Sequence, residues 1–250
     1  MGSGCSNANN VLPTSNLGDS RPWEVTSNQH RVFICRFCGG KACKHEDWRK
    51  QKHGTPAIAG LNSTWIIEEV LACQRPSSRL IREYNLTEQF NRENIVAIFN
   101  LQLPGEHPLC GDGIHPDGFS YHPEEFMDKG VYFYNYGFTD MNVPPLEKMV
   151  HIVQGMDYHI RSQHSRVAVH CHAGYGRTGI AIACYLILCR GKTASEAIAH
   201  VRSKRNKCIQ TKKQVRFVNL FAQFVADLRR CFPCPSGQET QQQQQQQQQQ

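Results

Sequence analysis

This chain of 250 residues lacks several things. Its longest apolar run, Ile180 to Cys189, is about half of the roughly 20 residues a spanning helix requires. The first twenty residues contain no apolar core segment, so no secretory leader is expected. There is no internal repeat. No nucleic-acid recognition motif is present, and the net charge of +7 is modest and scattered, so nucleic acid is not expected as a partner. The surplus of positive charge favours phosphorylated substrates and acidic lipid surfaces instead. Without a leader, the twelve cysteines are expected to be reduced thiols in a cytosolic setting, not disulfides.

What is present divides into three parts. Residues 1–30 are polar, with scattered Ser, Asn, Pro and Gly, and read as a disordered arm. Residues 31–232 carry the periodic segments and are long enough for one domain with a sizeable core. Residues 233–250 open with Pro233 and Pro235 and end in ten glutamines, a low-complexity tail. Within the domain, Ile95–Phe99, Val131–Tyr134 and Val167–Val169 read as strands. The pattern predicts a helix over Thr64–Cys73, with Trp65, Ile66, Val70 and Cys73 on one side. It predicts a second helix over Pro144–Gln163, with proline at its start. A buried one is expected over Thr178–Leu188. Thr193–Arg202 opens with the T-x-x-E capping box of Thr193 and Glu196. Thr211–Arg229 places Val218, Phe221, Val225 and Leu228 on one stripe. Strands separated by helical segments predict an α/β layered fold.

The densest string is RVAVHCHAGYGRTGI, residues 166–180. A strand pattern ends at His170 and Cys171, a short loop follows, and a long apolar helix pattern begins. Gly174 and Gly176 permit unusual backbone angles and leave room for a ligand. Successive backbone N–H groups in such a loop, from His172 and Ala173 through Gly176, form an anion-binding nest, reinforced by the N-terminus of the helix. Cysteines at such places, close to a cation, are reactive nucleophiles. Arg177 has a planar fork that holds two oxygens at once, which Lys lacks. Thr178 has a hydroxyl positioned to donate to the sulfur when it leaves. A thiol, amides and a guanidinium around one point suit a phosphate monoester.

These residues carry a family resemblance. The string H-C-x-x-G-x-G-R-T-G resembles the signature of cysteine-dependent protein phosphatases of the tyrosine and dual-specificity superfamily. CGGKACK (38–44), RPSS (75–78), NLQ with PGEH and CG (100–111), PEEFM (123–127), YFYNYG (132–137), ACYL (183–186), VRSKR (201–205) and IQT (209–211) extend the likeness to the protein tyrosine phosphatase domain-containing 1 family, over roughly residues 38–228. The resemblance implies a cysteine-phosphatase fold, a mainly parallel central sheet flanked by helices, and hydrolysis of phosphoprotein monoesters through a cysteinyl-phosphate. Dual specificity is expected over strict tyrosine specificity. Cys171 is then the nucleophile, with Arg177 and the amides of His172, Ala173, Gly174, Tyr175 and Gly176 binding substrate. Asp140 matches the general acid, in a loop where Phe138 and Thr139 stand for the family's Trp and Pro. Gln214 matches a position that orients the attacking water, or is a surface helix residue. Leu103 stands where the family has Arg. The side chains of His172 and Tyr175 are expected where substrate specificity is set. Phosphoinositide-type relatives carry lysines there, which weakens a lipid-phosphatase alternative. A phosphate-recognising adaptor without turnover is the other alternative. No cofactor and no metal are required by this chemistry.

Two motifs stand apart. MGSGCS at the start fits acylation at Gly2 and Cys5, which would make the enzyme membrane-associated as well as cytoplasmic, or is an accidental match. Cys35, Cys38, Cys43 and His45 offer four candidate zinc ligands, but at spacings shorter than the usual fingers, so a plain structural segment is expected.

Overall fold

Four short apolar strands run side by side in one direction, and one more is added at an edge. The computed structural model describes residues 35, 38–46 and 55–232. Gly2, Cys5 and the glutamine tail lie outside the described residues. The strands are β1 (Ser63–Ile67), β2 (Val70–Cys73), β3 (Ile95–Asn100), β4 (Tyr132–Asn135) and β5 (Arg166–His170), in the spatial order β1-β2-β5-β3-β4. Only the β1–β2 pair is antiparallel. All four residues of β2 and four of the five in β5 are buried, as expected of parallel strands covered on both faces.

The helices are α1 (Ser78–Tyr84), α2 (Leu86–Arg92), α3 (Glu124–Met127), α4 (Leu146–Asp157), α5 (Gly176–Arg190), α6 (Ala194–Lys204) and α7 (Lys212–Cys231). A π-turn over Tyr158–Ser162 extends α4. One core joins the sheet to α4–α7 through Met149, Ile152, Tyr185, Val201, Val218 and Phe221. A second, on the other face, joins it to α1–α3 through Leu80, Phe90 and Phe126. The fold is therefore the expected one, a mainly parallel sheet between layers of helices. Helix α5 is the axis of the larger core and is buried from Gly176 to Ile187, as an all-round apolar sequence requires. The Thr193–Glu196 capping box is formed, and Thr211 with Gln214 makes a second at the start of α7.

The helix expected over Thr64–Cys73 is instead a hairpin. Thr64 pairs with Ala72 and Ile67 with Val70, with Glu68 and Glu69 as its turn. Thr64, Ile66, Ile67 and Val70 are β-branched and fit a pleated surface. Trp65, Ile66, Val70 and Cys73, which would share a helix face, instead divide between the two faces of the sheet, Ile66 and Val70 in the larger core and Trp65 and Cys73 at the other, and ladder pairing of β2 with β5 decides between the two forms.

Register positions the functional residues. Cys73 and Asn100 both lie opposite His170, and Asn135 lies opposite Asn100. The carboxyl ends of all four parallel strands thus fall in one row. The segments that leave them, at residues 74, 101, 136 and 171, start from one edge, where α/β folds bind their ligands.

Candidate active site

The segment from Cys171 to Tyr175 turns from β5 into α5. Its carbonyls are tied outward. His170 O accepts from Leu101 N at 2.9 Å and His172 O from Arg75 N at 2.9 Å. Gly174 O accepts from Arg205 Nε at 2.8 Å, and Ala173 O from Arg205 Nη2 at 3.3 Å. Tyr175 O accepts from Gly179 N and Ile209 N. A loop with its acceptors anchored outward turns its N–H groups inward, the geometry of a nest. Gly174 is required twice over. It has φ of +72°, and a Cβ there would stand 2.1 Å from Cys73 O. At Gly176 a Cβ would press on the Gln210 and Gln214 side chains.

Cys171 is 3 % exposed at the base of this loop, close enough to Arg177 to interact electrostatically. At three other buried thiols desolvation wins: burial pushes Cys73 and Cys208 up to about 12, against the pull of Arg205, and Cys184 well above its ordinary value. Those are packing groups. Arg177 is fully buried and donates through Nη1 to Leu101 O, Phe138 O and Glu106 Oε1 at 2.8–3.0 Å. Its Nη2 lies 2.8 Å from Glu106 Oε2 and 3.2 Å from Asp140 Oδ1. Burial opposes its charge, and Glu106 and Asp140 outweigh that, keeping it a fixed cation. Arg177 Nε and Thr178 Oγ1 are buried with no hydrogen-bond partner among the described residues. Orphaned donors of this kind call for a ligand.

Asp140 sits in the loop after β4, about one-third exposed, with His107 Nε2 at 3.4 Å from Oδ2. Met141 N donates to its Oδ1 at 2.9 Å. Burial raises its affinity for a proton, but His107 and Arg177 together hold the carboxyl well below the usual range. Phe138 is buried in the larger core and so anchors the start of the Asp140 loop. Lys148 Nζ bonds Gly137 O at 3.0 Å and ties the loop to α4.

His170 is fully buried between Tyr121 Oη, 2.8 Å from Nε2, and Cys171 O, 3.2 Å from Nδ1. Burial lowers it to about 3, so the ring is neutral. Nδ1–H then donates to the carbonyl of the cysteine and Nε2 accepts from the tyrosine. The side chains of His172 and Tyr175 turn into the protein. His172 Nε2 is 3.0 Å from Glu46 Oε1 and its ring stacks on His107 at 3.7 Å. Burial opposes its charge, but Cys38, Cys43 and Glu46 raise its proton affinity well above the ordinary value. Tyr175 is held by Asn62 Nδ2, which donates to Oη at 3.1 Å, and lies under the Arg205 guanidinium at 4.6 Å. Gln214 is buried rather than on the surface. Its Oε1 accepts from Gln210 N at 2.8 Å, and its amide nitrogen points to Asn142 O, beside the Asp140 loop.

The segment PGEHPLCG (104–111), which follows a strand, was expected near the active face, but the sequence did not reveal the side-chain contacts of this far wall. Arg75 is 1 % exposed and donates to Glu46 at 2.7 Å and to the carbonyls of Glu106, His107 and Cys110 at 3.0–3.2 Å. It fastens the 104–111 loop beside the nucleophile loop. Arg205 does the same on the outer side, with Asn62 and Thr64. Arg75, Glu106 and Arg205 lay inside strings that carried the resemblance, which was the only signal for them. Leu103, half-buried, meets Glu106 through its backbone N–H at 3.2 Å.

The fold and this loop define a class, the cysteine-dependent phosphatases. The profile of the dual-specificity phosphatase catalytic domain matches residues 85–224, and the chain belongs to that family. It is 46 % identical to mouse (Mus musculus) protein tyrosine phosphatase domain-containing protein 1 over 198 residues, 79 % of this chain and 26 % of the relative. The chain spans about a quarter of the length of such curated relatives. It is 30 % identical to the phosphatidylinositol 3,4,5-trisphosphate 3-phosphatase ptn1 of Schizosaccharomyces pombe, over 68 % of this chain and 47 % of that one. Among solved structures, Tk-PTP in the active form superposes with a TM-score of 0.53 at 22 % identity, covering 64 % of this chain and 96 % of the other. Among the described residues no helix is long and apolar enough to cross a membrane.

Proposed function

We propose that this chain hydrolyses phosphate monoesters on proteins by covalent catalysis at Cys171. One observation carries the reading. A buried thiol lies beside a buried arginine with an unpartnered Nε, at the start of a helix and inside a loop whose carbonyls are all tied outward. That arrangement concentrates positive potential on one point and leaves a nucleophile in it.

In the first step the Cys171 sulfur attacks phosphorus while the bond to the leaving oxygen breaks. Arg177 and the amides of residues 172–177 hold the equatorial oxygens. Asp140 protonates the leaving oxygen. Its pairing with Arg177 and His107 keeps it ionised in the free protein. An arriving dianion takes up the guanidinium and adds negative charge nearby, and both changes return a proton to the carboxyl. In the second step water attacks the cysteinyl-phosphate, Asp140 accepts its proton, and the thiolate leaves toward Thr178 Oγ1. Gln214, between the nucleophile loop and the Asp140 loop, orients that water. Glu106 keeps the Arg177 fork aligned.

A phosphoinositide substrate is the second reading, and the likeness to ptn1 favours it. The loop has no lysine, and its histidine is spent on Glu46, so nothing in it meets the further phosphates of such a lipid. Turnover of phosphotyrosine peptides, phosphoserine and phosphothreonine peptides, and phosphoinositide vesicles in parallel, with a Cys171→Ser control, tests both. Faster release from peptides supports the first reading. Release from lipids alone overturns it.

A further inference from the structure

Beside the far wall lies a group of thiols with no part in the proposed hydrolysis. Cys35, Cys43 and Cys110 are 0 %, 2 % and 0 % exposed, and with Cys38 packed on them they form a cluster separate from both cores. Cys38 Sγ lies within 4.8 Å of a ring nitrogen of His107 and of His172, the two histidines that also face Cys110 and Cys43. Cys110 Sγ lies within 4.8 Å of Cys43 Sγ in one group of metal-ligating atoms and of Cys35 Sγ in another. Three of the four come from one short segment, which is also tied to the domain by Glu46 through Arg75 and His172 and by Gly40 O, which accepts from Gly111 N. Among the described residues it includes the 3-10 turn Gly40–Ala42, which buries no side chain. The fourth comes from the loop that carries Glu106.

Two of the imidazoles nearby are already committed: His107 Nε2 faces Asp140 and His172 Nε2 faces Glu46. His45 meets His172 and Tyr175 edge-on, and its buried Nδ1 has no hydrogen-bond partner among the described residues. What the two inner histidines turn to the sulfurs is contact at outer-sphere distance: His172 Nε2 is 3.6 Å from Cys43 Sγ, and His107 Nδ1 is 3.8 Å from Cys110 Sγ. N–H groups at that range are what a cluster of thiolates attracts around itself. The Glu46 carboxylate lies within 4.8 Å of the Cys43 and Cys110 sulfurs, but it is taken by Arg75 and His172. Four sulfurs gathered in one cluster suit a soft-leaning, tetrahedral cation with closed coordination.

We propose that Cys35, Cys38, Cys43 and Cys110 bind one zinc ion, which pins residues 35–46 to the loop over the nucleophile. Each thiol gives up its proton and each sulfur donates a pair to the metal; nothing is oxidised. The ligand set differs from the one the sequence offered, with Cys110 in the place of His45. Through His107 the site is joined to Asp140, and through His172 and Glu46 to the nucleophile loop, so the metal would set the posture of the whole far wall.

The test is metal content of the full chain, purified under reducing conditions from zinc-supplemented cells, by elemental analysis. About one equivalent of zinc is expected, retained on dialysis against a weak chelator and lost in Cys38→Ser and Cys110→Ser. Cys231→Ser, at an exposed thiol on α7, is expected to keep it. Exchange with cobalt(II) gives a readout that needs no variant: intense thiolate-to-metal absorption and tetrahedral d–d bands support the site. Zinc-free protein whose four thiols all react with an alkylating probe in the native state overturns it. So does a disulfide between any two of them, weak octahedral cobalt bands, or iron with inorganic sulfide. None of these readouts depends on phosphatase turnover.

Discussion

The two walls of the site are built in opposite ways. On one side, strand, loop and helix are contiguous: His170 to Thr178 supply the nucleophile, the amides and the arginine in nine consecutive residues. On the other side Glu46, Arg75, the adjacent pair Glu106 and His107, and Asp140 come from four separate segments and meet only in the folded chain. The contiguous wall is set by local chain geometry and needs little help. The assembled wall depends on a web of buried ions, in which removal of one partner leaves another unpaired in a low-dielectric setting. Damage to the first wall should therefore abolish chemistry and spare the fold, whereas damage to the second should cost stability as well.

Cys171→Ser is the largest expected effect: a fall of about four orders of magnitude or more in kcat, with little change in thermal midpoint. Stopped-flow and calorimetry on the same sample check both halves. Asp140→Asn is expected to lower kcat by about 10²–10⁴-fold on alkyl or unactivated phenyl phosphates and far less on activated aryl phosphates. The acid must carry a proton to donate it, and Arg177 and His107 hold the carboxyl below its usual range in the free enzyme. Wild-type kcat/KM on poor leaving groups should hence fall as pH rises, with the limb on the acidic side of neutrality, and the limb should vanish in Asp140→Asn. Arg177→Lys is expected to lose about 10²–10³-fold, because a point charge cannot span two oxygens. Arg75→Ala separates the walls most clearly. It leaves Glu46 buried without its main partner and frees three carbonyls, so a loss of about 3 kcal/mol or more is expected in urea unfolding. A stability change within error would break the contrast between the walls. The smallest effect belongs to Thr193→Ala, a cap of α6 remote from the cleft: about 1 kcal/mol, with kcat unchanged.

The same contrast explains what was legible in the sequence. Strands β3, β4 and β5, the buried helix α5 and the capped helix α6 could be read because periodicity and capping are local. The β1–β2 hairpin was misread as a helix because only pairing with β5, almost a hundred residues away, distinguishes the two. The strand, loop and helix around Cys171 were legible as local structure, and Asp140, the acid the resemblance implied, is brought 3.2 Å from Arg177 by the fold. Gln214 was left open between two roles, and its burial against Gly176 follows from the docking of α7 on α5, a contact between separate elements. The inward turn of His172 was missed, because Glu46, its partner, lies 126 positions away. The cysteine segment was legible as a set of thiols, but not its fourth member, since Cys110 reaches it through the loop that Arg75 holds.

In the proposed mechanism a phosphoryl group passes through Cys171. Rapid acid quench of the enzyme with a phosphotyrosine peptide, followed by peptide mass spectrometry, tests that directly. The prediction is a phosphate on the Cys171 peptide that forms before product water exchange and accumulates in Gln214→Ala. Steady turnover with no phosphorylated Cys171 at any quench time, or Cys171→Ser turning over at the wild-type rate, would contradict it.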